Sequence, residues 1–339
     1  MKIIVDAMGG DNAPLEIVKG ALAGQKHWGV DIALTGDEST IRDALAQCGQ
    51  GELPQGVEIV PTSQTVDMCD DPATVFRRKK DTSMGVGLTM LREGKADALV
   101  SAGSTGALLT GATLITKRIH GIRRAAMAPV IPTTTGQAVL IDCGANAECT
   151  PEYLVQFAYL GSFYAQQVLG LARPRVGLLN IGAEDSKGTD LQKQTLARLK
   201  EADAAGHLHF IGNIEAKEAI KGGCDVIVCD GFSGNVLLKT MEGVGSFAGS
   251  ALKAMFKKNL LTKLAALCVM PGLNAFKAKL DPNKVGGTAF IGISKAVIKA
   301  HGASNAEAIE NAVGQAAAFA RSGLIEKIVE NVNLMKIEK

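Results

Sequence analysis

Short apolar runs alternate with glycine-containing turns and helical stretches along the chain. The first run, at residues 2–6, predicts a strand, and a helix is predicted from Leu15 because Pro14 suits the start of a helix. Further strands are predicted at residues 30–35, 57–60, 96–101, 138–142, 175–180, 207–212 and 225–229. This alternation is typical of a mainly parallel sheet covered by helices on both faces. We therefore expect an α/β fold, a doubly wound three-layer α/β/α sandwich, in one domain over residues 1–339.

One segment, residues 243–280, breaks this pattern. It contains no acidic residue and six lysines, a local charge of +6. At roughly 100° per residue its apolar side chains form two faces about a quarter turn apart, and one straight helix would not keep both together. The pattern predicts a break near Asn259 and two short basic amphipathic helices that end at Pro271 and Gly272. The apolar residues predicted to make contact are Leu252, Phe256, Leu260, Leu264 and Leu267.

Two interpretations of this inserted, hairpin-like segment are open. Acid-free basic amphipathic stretches are typical of helices that lie in a lipid interface, so the first is reversible docking on an anionic membrane surface. The second is a dimerisation or core-packing hairpin whose lysines face water.

Composition narrows the class of protein. The 339 residues are 47% apolar and 21% charged, enough to bury a substantial core, and the net charge of +2 excludes a bulk nucleic-acid binder. The longest apolar run, at 264–270, is far shorter than the roughly 20 residues of a spanning helix. No secretory signal pattern is visible, and the scattered cysteines form no C-x-x-C pair. We expect reduced thiols in a cytosolic protein.

Four predicted strand-to-helix turns are rich in glycine and small polar residues. They lie at 101–106 (SAGSTG), 142–146 (DCGAN), 180–189 (NIGAEDSKGT) and 230–235 (DGFSGN). The carboxyl ends of parallel strands converge on one crevice, where helix N-termini offer free N–H groups to anions. One such turn is an ordinary turn, but four together, with Lys187 in one of them, predict an anion site.

Familiar catalytic motifs are missing. The chain has no P-loop and no H-E-x-x-H pair, and the turn at 231–235 lacks the last glycine of a G-x-S-x-G elbow. The glycines at 243 and 245 do not follow a predicted strand, so they are not a dinucleotide fingerprint. Attack by inorganic phosphate on a thioester fits what remains. Phosphate is already an anionic nucleophile. The leaving group is a thiol with a pKa of about 8.5, which departs with little acid assistance. To catalyse this reaction, the protein therefore needs mainly to align the reactants and to stabilise the oxyanion.

Read together, these turns resemble the PlsX family, the bacterial phosphate acyltransferases of phospholipid synthesis. The residues that carry the resemblance run in family order over about residues 3–305. They are 5–14 (VDAMGGDNAP), 77–80 (RRKK), 101–108 (SAGSTGAL), 142–146 (DCGAN), 178–182 (LLNIG), 210–213 (FIGN), 229–236 (CDGFSGNV) and 298–302 (IKAHG).

The resemblance implies transfer of a long fatty acyl group from acyl carrier protein to inorganic phosphate, without metal, cofactor or covalent enzyme intermediate. The acyl phosphate would then serve a membrane glycerol-phosphate acyltransferase. It also implies a fold similar to phosphotransacetylases and isopropylmalate-type dehydrogenases, a homodimer, and a cytoplasmic protein at the inner face of the cell membrane.

Three residues are the candidates for chemistry. Lys187 would bind phosphate or the thioester oxyanion, Asp230 would orient phosphate or accept its proton, and Asn235 would donate to the oxyanion. A surface charge is the alternative for Lys187, and a helix cap is the alternative for Asp230. The expected phosphate- or substrate-binding residues, several of which could equally be turn or cap residues, are Asp6, Gly103, Ser104, Thr105, Gly106, Asp142, Asn146, Asn180, Ser233 and Gly234.

Basic residues outside these turns are candidates for the carrier-protein contact. Charge complementarity with an acidic carrier would mainly raise the association rate; the alternative is a solvated basic turn offset by Asp70 and Asp71. The candidates are Arg77, Arg78, Lys79, Arg123 and Arg124. Two other functions remain open, a short-chain phosphotransacetylase that uses coenzyme A and a non-catalytic lipid- or carrier-binding scaffold.

Overall fold

The strands of the protein are divided between two sheets. The computed structural model describes residues 1–259, 261–266, 269–270, 272 and 286–336. The strands are β1 (Lys2–Asp6), β2 (Asp31–Gly36), β3 (Val57–Pro61), β4 (Ala98–Ser101), β5 (Ala126–Ala128), β6 (Val130–Thr133), β7 (Gly136–Ile141), β8 (Val176–Leu179), β9 (Phe210–Ile214), β10 (Val226–Val228), β11 (Thr288–Ile291) and β12 (Ala296–Lys299). Within these residues the first sheet has the order β3-β2-β1-β4-β12-β11-β5 and the second β6-β7-β10-β8-β9.

Most neighbouring strands are parallel, as the alternating pattern predicts. In the first sheet β3, β2, β1, β4 and β12 run parallel, and β11 is antiparallel to both of its neighbours. In the second, β7, β10, β8 and β9 are parallel and β6 is antiparallel to β7. The helices are α1 (Leu15–Trp28), α2 (Glu38–Gln47), α3 (Val75–Arg78), α4 (Ser83–Arg92), α5 (Thr105–Gly111), α6 (Pro151–Gln167), α7 (Asp190–Ala204), α8 (Ala216–Ile220), α9 (Gly231–Lys257), α10 (Ala306–Arg321) and α11 (Leu324–Glu330).

The expected α/β class is confirmed, and every strand predicted from the sequence is present. The strand expected from residue 207 begins only at Phe210. Four strands were not predicted, namely β5, β6, β11 and β12. These strands are three or four residues long, and proline or glycine interrupts or flanks three of them. Their apolar runs are therefore too short to predict a strand from the sequence.

The chain passes from the first sheet to the second at Pro129. This residue is all that separates β5, which pairs with β11, from β6, which pairs with β7. Proline has no N–H and cannot continue a ladder. Its carbonyl accepts a hydrogen bond from Leu140 N at 3.0 Å, which ties the turn to the second sheet.

One hydrophobic cluster includes residues of both sheets. Ile3 of the first sheet, Val139 and Val226 of the second, and Leu160 of α6 all belong to it and are fully buried. Burial of this kind contributes roughly 25 cal/mol for each Å² of apolar surface removed from water. The two sheets therefore share a core. The assignment of residues 1–339 to one domain, with 243–280 as an insertion, stays a prediction.

The helix α9 does not match the expectation of two short helices. It is a single helix of 27 residues that begins at the turn after β10, and of its residues only Gly231 and Gly234 are buried. The expected break near Asn259 is present, because Asn259 Oδ1 accepts a hydrogen bond from Thr262 N at 2.9 Å ahead of a helix at 261–266. The predicted end at Pro271 lies outside the described residues. Among the helices that the structure describes, none is both long and apolar enough to cross a bilayer.

Candidate functional site

The strand ends of the first sheet hold a buried acid and a buried lysine. Asp6 ends β1 and Lys299 ends β12, and they are 1% and 7% exposed. Asp6 Oδ2 accepts a hydrogen bond from Ser101 Oγ at 2.7 Å, and Ser101 Oγ accepts one from Gly103 N at 3.1 Å. Lys299 Nζ donates to the carbonyl of Ala102 at 3.3 Å. The acid and the lysine therefore hold the same turn, the one that follows β4.

Burial shifts the pKa of both groups toward the uncharged form. It raises the pKa of Asp6, and nearby hydroxyls oppose that rise, Ser83 first among them. Within the described chain, however, neither Asp6 Oδ1 nor Ser83 Oγ makes a hydrogen bond of good geometry. Burial lowers the pKa of Lys299 to about 8, and the carboxylates of Asp6 and Asp11 oppose that shift. Asp6 and Lys299 are therefore two buried ionisable groups whose charges act on each other.

The predicted anion turn at 101–106 is packed from two sides. A Cβ on Gly9 would lie 2.7 Å from Gly103 N, so the two loops meet backbone to backbone and a side chain there has no room. On the other side Pro72 approaches so closely that a Cβ on Gly106 would lie 3.0 Å from its ring. Ser104 Oγ accepts a hydrogen bond from Ala107 N at 3.4 Å and so begins α5. The predicted residues that are buried or half-buried here are Gly103, Ser104, Thr105 and Gly106.

Asp142 lies at the end of β7, fully buried, and its carboxylate is surrounded by N–H donors. Oδ1 accepts hydrogen bonds from Met127 N at 2.9 Å and Cys143 N at 2.7 Å. Oδ2 accepts from Asn146 N at 2.6 Å and from Asn146 Nδ2 at 3.0 Å. Burial raises the pKa of Asp142, and these bonds oppose the rise. Since both oxygens are occupied by the protein, Asp142 organises the site, and the geometry disfavours direct contact with substrate.

Asp230 begins α9 in the way that the cap interpretation predicts. Its Oδ1 accepts a hydrogen bond from Ser233 N and its Oδ2 one from Ser233 Oγ, both at 2.8 Å. The first turn of α9 lies against the 142–146 turn, because Gly231 N donates to Asn146 O at 2.8 Å. Asn235 is exposed one turn along, and a Cβ on Gly144 would lie 3.7 Å from its Oδ1. The turns after β7 and β10 therefore form one surface.

The turn after β8 carries the predicted catalytic lysine. Asn180 Oδ1 accepts a hydrogen bond from Ile181 N at 2.8 Å, and Asn180 Nδ2 donates to Lys187 O at 3.2 Å. Asn180 thus orders the loop that holds Lys187. The Lys187 side chain is exposed and makes no hydrogen bond or ion pair with any described residue. Its ammonium is free to meet an anion.

The two groups of turns meet where β5 touches β7. Met127 of β5 donates to Asp142, and Asn146 Nδ2 donates to the carbonyl of Ala125 at 2.9 Å. The positive charge of Lys239 on α9 further lowers the pKa of Lys299, beyond the larger effect of burial. The hydrogen bonds of Met127 and Asn146 therefore join the turns at the carboxyl ends of the two sheets, and we call the region around these turns the crevice.

Cysteines near the crevice are not suited to act as nucleophiles. Burial raises the pKa of Cys143 and Cys149 to about 12, and it raises that of Cys229 well above the ordinary value. Thiolate is the reactive form of cysteine, so these three side chains are inert near neutral pH. The described cysteines are free thiols, as expected.

The residues predicted to contact the carrier lie outside the crevice and differ in their availability. Lys79 is half-buried and its Nζ is bound to Asp67 at 2.8 Å and Asp70 at 2.6 Å, so its charge is already neutralised. Arg77 and Arg78 are exposed near those acids. The other predicted pair, Arg123 and Arg124, is also exposed, and the Arg124 guanidinium lies 5.6 Å over the ring of Tyr153.

Only part of the predicted membrane contact can be located. Leu252 and Phe256 are half-buried on α9, and Leu264 on the following short helix is 61% exposed. Leu260 and Leu267 lie outside the described residues.

No role was predicted for Lys299 or Ser101. The available signal is a lysine within an otherwise apolar run, residues 296–300 (AVIKA). The resemblance covers residues 298–302 (IKAHG), and so includes Lys299, without a function for it.

Comparison with known sequences gives a consistent result. A family model described as "Fatty acid synthesis protein" matches residues 1–327. A phosphate acyltransferase of Alkaliphilus oremlandii is 47% identical over 333 residues, which cover 98% of this chain and 98% of that protein. A phosphate acyltransferase of Brevibacillus brevis is 46% identical over 334 residues, 98% of this chain and 97% of that protein.

Solved structures resemble the fold at much lower identity. A phosphotransacetylase from Streptococcus pyogenes superposes with a TM-score of 0.65 at 18% identity, covering 94% of both chains. A 4-hydroxythreonine-4-phosphate dehydrogenase from Klebsiella pneumoniae does so with a TM-score of 0.56 at 14% identity, covering 95% of this chain and 99% of that one. These likenesses concern the fold, and they confirm the expected similarity to phosphotransacetylases.

Proposed function

The chain belongs to the phosphate acyltransferase family, whose members transfer an acyl group to phosphate in lipid synthesis, and from this premise we propose how it performs that reaction. The acyl donor is the thioester of a long-chain fatty acid with acyl carrier protein. The products are the acyl phosphate and the free carrier. The observation that carries this proposal is the carboxyl edge of the second sheet, where the exposed Asn235 lies beside the Asp142 turn and the exposed Lys187 belongs to the turn after β8.

The reaction needs one bond to form and one to break. An oxygen of inorganic phosphate attacks the thioester carbonyl, the C–O bond forms, and the C–S bond of the tetrahedral intermediate then breaks to release the carrier's thiolate. Lys187 offsets the charge of the phosphate, and Asn235 donates to the oxyanion of the intermediate. Asp230 orients phosphate through the first turn of α9. The inert thiols around Asp142 support direct attack without an acyl-enzyme.

Of the two basic surfaces, the second is better suited to the carrier. Residues 98–141 contain no acid, whereas Asp67, Asp70 and Asp71 surround the first surface. Arg123 and Arg124 also adjoin the crevice, since the carbonyl of the next residue binds Asn146. We place the acidic carrier there, with Arg77 and Arg78 as a weaker contact and Lys79 as a structural residue.

The outer part of α9 and the segment that follows support two further proposals. The protein is cytoplasmic and docks on the anionic inner face of the cell membrane through residues 243–280, close to the membrane glycerol-phosphate acyltransferase that consumes its product. It functions as a homodimer. Apolar side chains exposed on this segment, Phe247 at 75% and Leu264 at 61%, support both.

The decisive experiment measures release of free thiol from acyl-acyl carrier protein and from acyl-coenzyme A, each with and without inorganic phosphate. We expect phosphate-dependent release from the carrier substrate. Preference for a short-chain coenzyme A thioester would instead identify a phosphotransacetylase, and no release from either would leave a binding scaffold.

A further inference from the structure

Lys299 is the most deeply buried lysine among the residues that the structure describes. It takes no part in the reaction steps proposed above. It is 7% exposed at the carboxyl end of β12. Taking an ammonium ion out of water costs several kcal/mol unless it is paired and hydrogen-bonded. Lys299 is so compensated, by the nearby carboxylate of Asp6 and by the carbonyls of Ala102 and Ala300.

These contacts converge on one turn, residues 101–106. The lysine binds the carbonyl of Ala102. Asp6 binds the hydroxyl of Ser101, which in turn accepts the N–H of Gly103. The ammonium of Lys299 therefore holds one carbonyl of the turn, while the carboxylate of Asp6 holds the hydroxyl of Ser101, which accepts a hydrogen bond from the amide of Gly103. The loop after β1 packs against this turn, because a Cβ on Gly9 would lie only 2.7 Å from Gly103 N.

We propose that Lys299 is a positioning residue that, together with Asp6, fixes the turn at 101–106 in the shape that receives phosphate. Its ammonium points at carbonyl oxygens of the protein, so it acts through the turn and does not bind the substrate itself. A turn that is ordered beforehand loses less conformational entropy when phosphate binds. The choice of phosphate as the anion rests on the proposed function.

Two single variants and the double variant that combines them separate positioning of the turn from charge balance. Lys299→Met leaves Asp6 as an unpaired buried acid, and Asp6→Asn leaves Lys299 unpaired, so each single variant should lower Tm. The double variant Asp6→Asn/Lys299→Met carries neither charge and should regain most of that loss. The control is Lys295→Met, a lysine that precedes β12 at its opposite end.

We expect the double variant to fold and yet to raise the KM for inorganic phosphate by about tenfold, the factor that corresponds to about 1.4 kcal/mol. The KM for the acyl carrier substrate and the behaviour of Lys295→Met should match the wild type. Hydrogen exchange at the amides of 102–106 should be faster in the double variant, since its carbonyl anchor is gone.

A stable double variant with wild-type exchange and a wild-type KM for phosphate would reduce Lys299 to charge balance and overturn the proposal. Faster exchange with an unchanged KM would overturn its part in phosphate binding. If the wild type releases no thiol in the presence of phosphate, the proposed function fails, and exchange at 102–106 alone then decides whether Lys299 holds the turn.

Discussion

Replacing Asp142 with asparagine tests the hydrogen bonds that hold the 142–146 turn in place. In the native protein five N–H groups donate to the carboxylate, four of them at 2.6 to 3.0 Å and that of Ala145 at 3.4 Å. The side-chain amide of the introduced asparagine would keep one oxygen for Met127 and Cys143. Its NH2 group would replace Oδ2 and face two donors of Asn146, which can then bond to nothing at that position.

The magnitude follows from counting the bonds lost. A hydrogen bond to a charged group contributes about 1.5–3 kcal/mol, and two are lost. Allowing for relaxation of the 142–146 turn, we expect the free energy of unfolding to fall by about 3 kcal/mol, a large part of the 5–15 kcal/mol typical of a folded protein. Asp43→Asn, the same change at an exposed acid of α2, is the control and should have almost no effect.

Urea denaturation of the wild type and both variants measures the change in the free energy of unfolding. Phosphate-dependent thiol release, assayed at urea concentrations well below the midpoint of unfolding, measures activity. We expect Asp142→Asn to lose activity even at urea concentrations at which it is folded. The first turn of α9 contacts the 142–146 turn through the hydrogen bond from Gly231 N to Asn146 O, so it would move with that turn. A loss below about 1 kcal/mol would show that the carboxylate does not hold the 142–146 turn in place.

Other changes test the site and its surroundings one at a time. Lys187→Ala should leave Tm unchanged and lower kcat by about 10²- to 10³-fold, the effect expected when one electrostatic contact to the transition state is removed, because Lys187 offsets the charge of the phosphate. Turnover like that of the wild type would remove its catalytic role. Charge reversal of Arg123 and Arg124 should raise the KM for acyl carrier protein at low salt and less so at high salt, and an unchanged KM would place the carrier elsewhere. Glu152→Gln should reduce stability at pH 7 but progressively less toward pH 2. Hydrogen bonds from Thr150 and Arg198 lower the pKa of Glu152 to about 2, so the contribution of its carboxylate to stability is present above the unfolded-state pKa and is lost as the pH falls through the folded-state pKa. A pH-independent difference in unfolding free energy contradicts this assignment. Leu264→Glu should weaken flotation with anionic liposomes, and equal binding by the wild type and this variant counts against membrane docking.

Local patterns in the sequence were enough to locate the strand ends and their turns. Asp6, Asp142 and Asp230 each follow an apolar run, and the structure places all three where strands end. Their partners could not be found in this way. Asp6 and Lys299 are 293 positions apart in the chain, and no local pattern connects them.

The structural roles of other residues also depended on distant contacts. The N–H of Met127 reaches Asp142 only because β5, a strand too short to predict, lies at the edge of the first sheet and contacts β7. Lys79 was a candidate for the carrier contact, with a basic turn offset by nearby acids as the alternative, and the structure shows its ammonium bound to Asp67 and Asp70. Sequence patterns therefore identify where chemistry can occur, and tertiary contacts decide which side chains remain available for it.

The long helix α9 connects the crevice with a basic and apolar segment of the chain. Its N-terminal end carries Asp230 and Asn235, and Leu237, Leu238 and Met241 pack against the core. The whole helix of 27 residues is about 40 Å long, at 1.5 Å per residue. A helix of this length behaves as a stiff rod. A tilt imposed on its outer end would therefore turn Asn235 relative to the Asp142 turn, so any partner that binds the outer end would also change the alignment of the crevice.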